Sequence, residues 1–309
     1  MNLLSYLPEV VCLTEQALTR IRSFQVDPAS VAAARLATQT AGAGAPKVRT
    51  QKNVAVIPLS GVMEHKLSLL GWYMGGTSTV EFGRALNMAL ADTNIGSVLI
   101  DCDTPGGSAY LVQEVGQMIR EARGTKPIVG IANPEACSGG YWILSQCDWA
   151  FITESGLTLS LGAYRVHVDE TKALEMEGVK VELIRADDSP AKILSNPWEP
   201  LSDPGRAGEK VLVNQTMSAF LSAVAAGRGM SVSEVKSRFG KGIAMQAKDA
   251  VAAGAVDKIA SFDTVLGMMA DGKIRPRKVS KVEETPHGRS ASVVRAQTSA
   301  AILGTRFLT

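Results

Sequence analysis

From Val54 onward the hydrophobic positions alternate between two patterns. Short, nearly unbroken apolar runs cover Val54 to Leu59, Ser97 to Asp101, Ile128 to Ala132 and Trp149 to Thr153. Runs of that length read as strands covered on both faces. Between them lie stretches with apolar residues at helical spacing: Val80 to Ala91, Ser108 to Arg123 and a short one at Tyr141 to Gln146. In Ser108 to Arg123, Leu111, Val112, Val115, Met118 and Ile119 fall on one face. Further along, Tyr164 to Val168 and Val179 to Ile184 read as short strands, with Glu170 to Glu177 helical between them. Gly205 to Ala226 and Ser231 to Phe239 close as helices. The alternation predicts an α/β fold with a largely parallel sheet flanked by helices, whose sites gather at the carboxyl ends of the strands. The sequence has no internal repeat.

The flanks differ in pattern. Residues 1–40 predict a helical segment, because Val10, Val11, Leu13, Leu18, Ile21 and Phe24 recur near helical spacing after Pro8. Residues 41–53, rich in Gly, Ala and Pro and then in Lys, Arg and Asn, read as a linker. The main domain is expected over 54–263, and 264–309 is expected to be a basic, flexible tail. Net charge is +2 over 309 residues, but from Lys273 to Thr309 eight Lys/Arg stand against two Glu, so that end carries +6 and the remainder −4. A balance so close to neutral predicts neither a nucleic-acid nor a membrane partner, and a short basic tail is ordinarily a solvated end. Cys12, Cys102, Cys137 and Cys147 have no metal-ligand spacing, so neither a metal nor another cofactor is expected, and the four read as reduced thiols. No apolar run reaches the roughly 18 residues of a spanning helix, and no basic stretch precedes an apolar leader. The expectation is a cytoplasmic protein.

Two strand ends carry loops with chemical potential. Cys137-Ser138-Gly139-Gly140-Tyr141 puts a serine between an apolar run and a helix. There its hydroxyl can meet a substrate, and the following glycine lets an N–H approach an oxyanion. Taken alone, Ser-Gly-Gly is also an ordinary loop or helix cap. Asp103-Thr-Pro-Gly-Gly107 follows the preceding strand and is expected to lead straight into the Ser108 helix, which would place its N–H groups at a helix amino terminus suited to an anionic oxygen. Taken alone, that too is a common β-to-α turn. Two such glycine turns one strand apart can face each other across one sheet edge.

Val54-Ala-Val-Ile-Pro-Leu-Ser-Gly-Val62, Asp103-Thr-Pro-Gly-Gly107, Ala136-Cys-Ser-Gly-Gly-Tyr141 and Ser160-Leu-Gly162 occur in that order. This arrangement resembles the signal peptide peptidase A family, over about Val54 to Ile259. That family includes phage head-maturation proteases and belongs to the Clp protease and crotonase superfamily. The resemblance implies a Clp/crotonase-like fold of repeated β-β-α units and a serine endopeptidase with a Ser-Lys dyad. It makes Ser138 the nucleophile, gives the oxyanion to the backbone N–H groups of Gly107 and Gly139, and puts the base at Lys192, in Ser189-Pro-Ala-Lys192-Ile-Leu-Ser-Asn-Pro-Trp198. Ser160 would support the lysine amine, although the family's usual Gly-Ser-Ile-Gly reads Leu159-Ser-Leu-Gly162 here. A lysine acts as base only when its pKa falls from about 10.4, usually by desolvation, and read without the family Lys192 is an ordinary loop lysine. His167, 29 residues after Ser138, is the rival base. It lies in a His-Val-Asp run that phage-type members also carry.

The same resemblance implies a ring-shaped homo-oligomer acting on protein or peptide substrates, with scaffold, portal or coat proteins as the candidates if the chain is a capsid-maturation protease. The location would then be the host cytoplasm or the procapsid. A soluble bacterial peptidase of the same family and a crotonase-type acyl-CoA hydratase or isomerase are the alternatives. Crotonases rely on acidic residues for acid/base chemistry, so a serine at the helix entry argues against the last.

Overall fold

The computed structural model describes residues 11–14 and 42–277. The amino-terminal strand β1 (Val11–Leu13) is followed by β2 (Arg49–Gln51), β3 (Val54–Ser60), β4 (Met63–Glu64), α1 (Leu69–Tyr73), β5 (Thr77–Ser78) and α2 (Thr79–Ala91). Next come β6 (Ser97–Thr104), β7 (Gly106–Ser108), α3 (Val112–Ala122), β8 (Ile128–Cys137), α4 (Gly139–Leu144), β9 (Trp149–Ile152) and β10 (Leu157–Leu159). The chain then runs through α5 (Thr171–Met176), α6 (Asp203–Arg228), α7 (Val232–Phe239), β11 (Ala244–Gln246), α8 (Ala247–Ala252), β12 (Lys258–Ile259) and α9 (Phe262–Ala270).

The main sheet runs β11-β10-β8-β6-β3-β2, with β9 added on β8 and β12 on β9. Every pairing from β3 through β6, β8 and β10 or β9 is parallel, and only β2 and β11 join antiparallel. A small second sheet, β1-β7-β4-β5, sits at the carboxyl ends of β3 and β6. The expected α/β architecture with a largely parallel sheet is therefore what the chain adopts. Its β-β-α rhythm is visible twice, as β3-β4 followed by α2 and as β6-β7 followed by α3. The third long strand, β8, has no short companion and passes directly through Ser138 into α4.

Both faces of the sheet are covered, which is why the strands read as continuous apolar runs. On one face Ala55, Ile57, Leu59, Val98 and Ile100 pack with Phe82, Ile119, Trp142 and Phe220 from the helices. On the other, Val54, Val56, Leu99, Val129 and Ile131 pack with Val265, Leu266 and Met269 of α9. Alternate residues of β3 and β6 thus serve opposite cores, as the two-residue strand period requires.

Several expectations are corrected. Val11–Leu13 is a strand, not part of a helix; the remainder of the expected helical segment 1–40 lies outside the described residues. The 41–53 linker contains β2, paired with β3. The domain does not stop at residue 263: α9 seals one face of the sheet, and Arg277 pairs with Asp257 and stacks over Trp149. Of the expected tail, residues 278–309 lie outside the described residues. Neither Tyr164 to Val168 nor Val179 to Ile184 is a strand; Tyr164 alone forms a bridge, to Val11. An apolar alternation makes a strand only where another strand offers its ladder, and among the described residues Val179 to Ile184 finds none.

Candidate active site

Strand β8 carries the site because it changes partners along its length. Its first half, Val129 to Ala132, pairs with β9, and its last residues, Glu135 to Cys137, pair with β10. The strand ends with Cys137 opposite Leu159, so Ser138 and Ser160 leave the sheet as neighbours. Ser138 has φ 51 and ψ −113. This left-handed backbone costs a serine about 1 kcal/mol or more, so the surroundings must hold it. They do so on both sides. The Ser138 N–H donates to the Leu159 carbonyl at 2.6 Å, and its own carbonyl accepts from Trp142 N–H at 3.0 Å, opening α4.

Helix α4 is anchored on every side. All six of its residues are buried, Trp142 stacks on Phe220 with ring centres 4.5 Å apart, and the Tyr141 hydroxyl donates to the Ala255 carbonyl at 2.9 Å. Ser138 itself is 1% exposed, and its hydroxyl has no hydrogen-bond partner among the described residues. Orphaned buried hydroxyls are rare in structural positions, because the lost hydrogen bond is uncompensated. Gly139 begins the helix and its N–H lies in the first turn, where helical N–H groups lack intrahelical partners.

The facing turn differs from the expected one. β6 runs on to Thr104, and Gly106–Ser108 forms the strand β7 rather than the start of a helix; α3 begins only at Val112. The N–H of Gly107 therefore belongs to a strand and not to a helix terminus. Thr104 shapes the corner: its hydroxyl donates to the Gly61 carbonyl at 2.5 Å and accepts the Gly106 N–H at 3.1 Å, while Gly106 takes φ 101. Gly107 lies flat on β4, where a Cβ would come within 2.0 Å of the Met63 carbonyl oxygen. Gly140 allows a matching approach from α4, since a Cβ there would stand 2.4 Å from the Thr104 methyl. The two glycine turns thus pack against each other at one end of the sheet. Gly107→Ala is expected to force β7 off β4, at about 1–3 kcal/mol of stability. Chemical denaturation measures this, and an unchanged midpoint would mean that β7 has more room than its packing implies.

The remaining candidates are placed unequally. Ser160, at φ 56, donates its hydroxyl to the Gly242 carbonyl at 3.3 Å and its N–H to the Ile243 carbonyl at 3.1 Å. Lys192 is exposed, on a loop that is itself well tied. Its N–H donates to the Ser189 carbonyl at 3.0 Å, its carbonyl accepts from Arg185 Nε at 2.8 Å, and nearby Asn196 bonds the Ile193 carbonyl and Glu199. His167 is half-buried, and its Nε2 has no hydrogen-bond partner among the described residues. Because the Ser138 hydroxyl is unpartnered, neither Lys192 nor His167 bonds to it within this chain. The structure brings together Ser138, Ser160, Gly139 and Gly107, and Lys192 makes no hydrogen bond to Ser138.

Cys137 is fully buried, and burial together with the nearby Glu135 carboxylate pushes its thiol well above the ordinary range, so it is no nucleophile. Sequence reading missed two features of the site. One is β7, whose Gly-Gly-Ser has no strand signature. The other is β1, which pairs with β7 on the side away from β4. Among the described residues no group of His, Cys, Asp and Glu is arranged to hold a metal ion, and no helix is long and apolar enough to cross a membrane.

Comparison with known proteins gives a consistent picture. The model of peptidase family S49 matches residues 120–274, a span that includes Ser138, Ser160, His167 and Lys192 but not Gly107. The chain is 27% identical over 246 residues to the capsid assembly protease C of Escherichia phage lambda, covering 79% of this chain and 55% of that protein. It is also 27% identical over 222 residues to the head-tail preconnector protein GP5 of Enterobacteria phage P21, covering 72% of this chain and 44% of the other. The chain thus spans about half the length of these curated relatives. A solved enoyl-CoA hydratase from Polaromonas sp. JS666 overlaps with a TM-score of 0.42 and 14% identity, over 74% of this chain and 76% of that one. So loose an overlap carries no argument about activity.

Proposed function

The chain belongs to peptidase family S49, and on that premise we propose that it is a serine endopeptidase of the capsid-maturation type, with Ser138 as nucleophile and Lys192 as base. The observation that carries the reading is Ser138 itself: a buried, unpartnered hydroxyl on a left-handed backbone at the end of a central strand. A residue so placed contributes nothing to packing that alanine would not.

In the proposed reaction the uncharged Lys192 amine takes the Ser138 proton as Oγ attacks a peptide carbonyl. The N–H groups of Gly107 and Gly139 hold the oxyanion, and the lysine then returns the proton to the departing amine. Water, activated by the same amine, hydrolyses the acyl-enzyme. Ser160, beside Ser138, is the group proposed to orient the lysine.

Since Lys192 is exposed and makes no hydrogen bond to Ser138, the proposal includes its delivery by a neighbouring copy in a ring. The support is the surface around its loop. Met176 is 89% and Ile184 93% exposed, with Val179 and Val181 also open to solvent. Apolar side chains that stand out together mark a surface for another chain. Their alternation from Val179 to Ile184 fits a strand that is completed between subunits.

Scaffold, portal and coat proteins are the proposed substrates, in the host cytoplasm or the procapsid. They follow from the relatives' capsid and head-tail roles rather than from the geometry of the site. Co-expression of the chain with head proteins encoded beside it tests this. Truncation of one of them, absent with the Ser138→Ala chain, is the expected result. Intact head proteins alongside cleavage of an unfolded protein such as casein would instead make this a general peptidase.

A further inference from the structure

The chain places one of its own segments across the candidate site. β1 runs antiparallel to β7, with Val11 opposite Ser108, Cys12 opposite Gly107 and Leu13 opposite Gly106. Opposed residues of an antiparallel pair alternate between exchanging both N–H···O bonds and exchanging none. The Thr14 N–H donates to the Pro105 carbonyl at 3.1 Å, which fixes the phase of that alternation. Cys12 and Gly107 are then an exchanging pair, and the Cys12 carbonyl accepts from the Gly107 N–H. Two independent bonds agree with this phase. Gly106 turns its N–H to the Thr104 hydroxyl instead of to β1. Val11, pointing the other way, exchanges both its bonds with Tyr164, at 3.0 and 3.1 Å.

The segment is therefore clamped as an extended strand, with Tyr164 on one flank and β7 on the other. Val11, one residue before Cys12, is buried to 3% exposure. The Cys12 carbonyl thus takes the Gly107 N–H, the donor that the proposed mechanism assigns to the oxyanion. A strand laid along a sheet edge, with its side chains alternately pocketed and free, is how peptides are commonly held by β-addition.

We infer that β1 is a substrate of its own chain and that the bond presented for cleavage is Cys12–Leu13. The inference rests on the serine-peptidase reading. Ser138 Oγ attacks the Cys12 carbonyl carbon, and its proton passes to the base. The bond to the Leu13 nitrogen breaks, and that nitrogen receives the proton and becomes a new amino terminus. Water then hydrolyses the Ser138 ester, restoring the hydroxyl and releasing the segment up to Cys12 with a carboxylate end. One water is consumed in all. Until cleavage, β1 occupies the strand position that another substrate needs, so the intact chain is self-blocked.

Synthesis of the full chain in a cell-free system, followed by intact mass and amino-terminal sequencing, tests this. The expected product begins at Leu13, and the Ser138→Ala chain keeps residues 1–12 even when it is synthesised together with the unchanged chain, because each serine faces the strand of its own chain. A new amino terminus elsewhere would overturn the assigned bond, and trimming of the Ser138→Ala chain by the unchanged chain would overturn cleavage within one chain. An intact amino terminus in a chain that still cleaves casein would overturn the inference while leaving the peptidase reading standing. If neither the chain nor casein is cut, both fail together.

Discussion

Replacing Ser138 by Ala is expected to lower peptidase activity by on the order of 10³-fold or more, with the fold intact. The size follows from its role. A residue that forms the covalent intermediate cannot be bypassed by its neighbours, so what survives is the contribution of substrate binding and the oxyanion donors. The fold should not suffer, because the hydroxyl makes no hydrogen bond to lose and alanine keeps the Cβ. Alanine removes one oxygen from a well-packed corner, so the thermal midpoint should stay within a few degrees of the unchanged chain's. A large loss of activity with no loss of stability separates a nucleophile from a packing residue. If both fall together, Ser138 is holding the β8–α4 junction and another group reacts.

The second large effect concerns the base. Lys192→Ala is expected to cost on the order of 10²- to 10⁴-fold, the usual contribution of a general base, while His167→Ala stays within about tenfold of the unchanged chain. Delivery from a neighbouring subunit adds a distinctive outcome. Mixing inactive Ser138→Ala and Lys192→Ala chains before assembly should restore activity at about one site in four, because a site then needs only its own serine and its neighbour's lysine. No recovery on mixing would put both groups in one chain. A dead His167→Ala with an active Lys192→Ala would move the base to His167.

Much of this architecture was legible in the sequence because the main sheet is covered on both faces. Val54 to Leu59, Ser97 to Asp101 and Ile128 to Ala132 show as apolar runs since each of their alternate residues meets one of two cores. Ser138 was legible from position, as a serine followed by two glycines where such a run gives way to a helix. Gly107 was found for a reason that the structure changes. Gly-Gly is a turn signal by composition, yet Gly107 is required because it rests on the Met63 backbone within a short strand. Three residues without apolar alternation leave no strand signature, so β7 is set by tertiary pairing alone.

β1 shows the opposite error. Val10, Val11, Leu13 and Leu18 suit a helical face, but Val11 to Leu13 finds a ladder in β7 and Tyr164, and the pairing overrides local preference. Val179 to Ile184 reads as a strand from its own alternation and has no partner among the described residues. A register between copies, with the proposed approach of Lys192 to Ser138 across it, would be invisible to single-sequence reading.

The most direct measurement is the site of covalent modification in the assembled chain after treatment with a fluorophosphonate, located by mass spectrometry of its peptides. The reagent reacts with a serine that is both activated and flanked by an oxyanion site. The account predicts an adduct on Ser138, lost when Lys192 is replaced by Ala. An unmodified Ser138 in a chain that is actively cleaving peptides, or an adduct on Ser160 in its place, would contradict it.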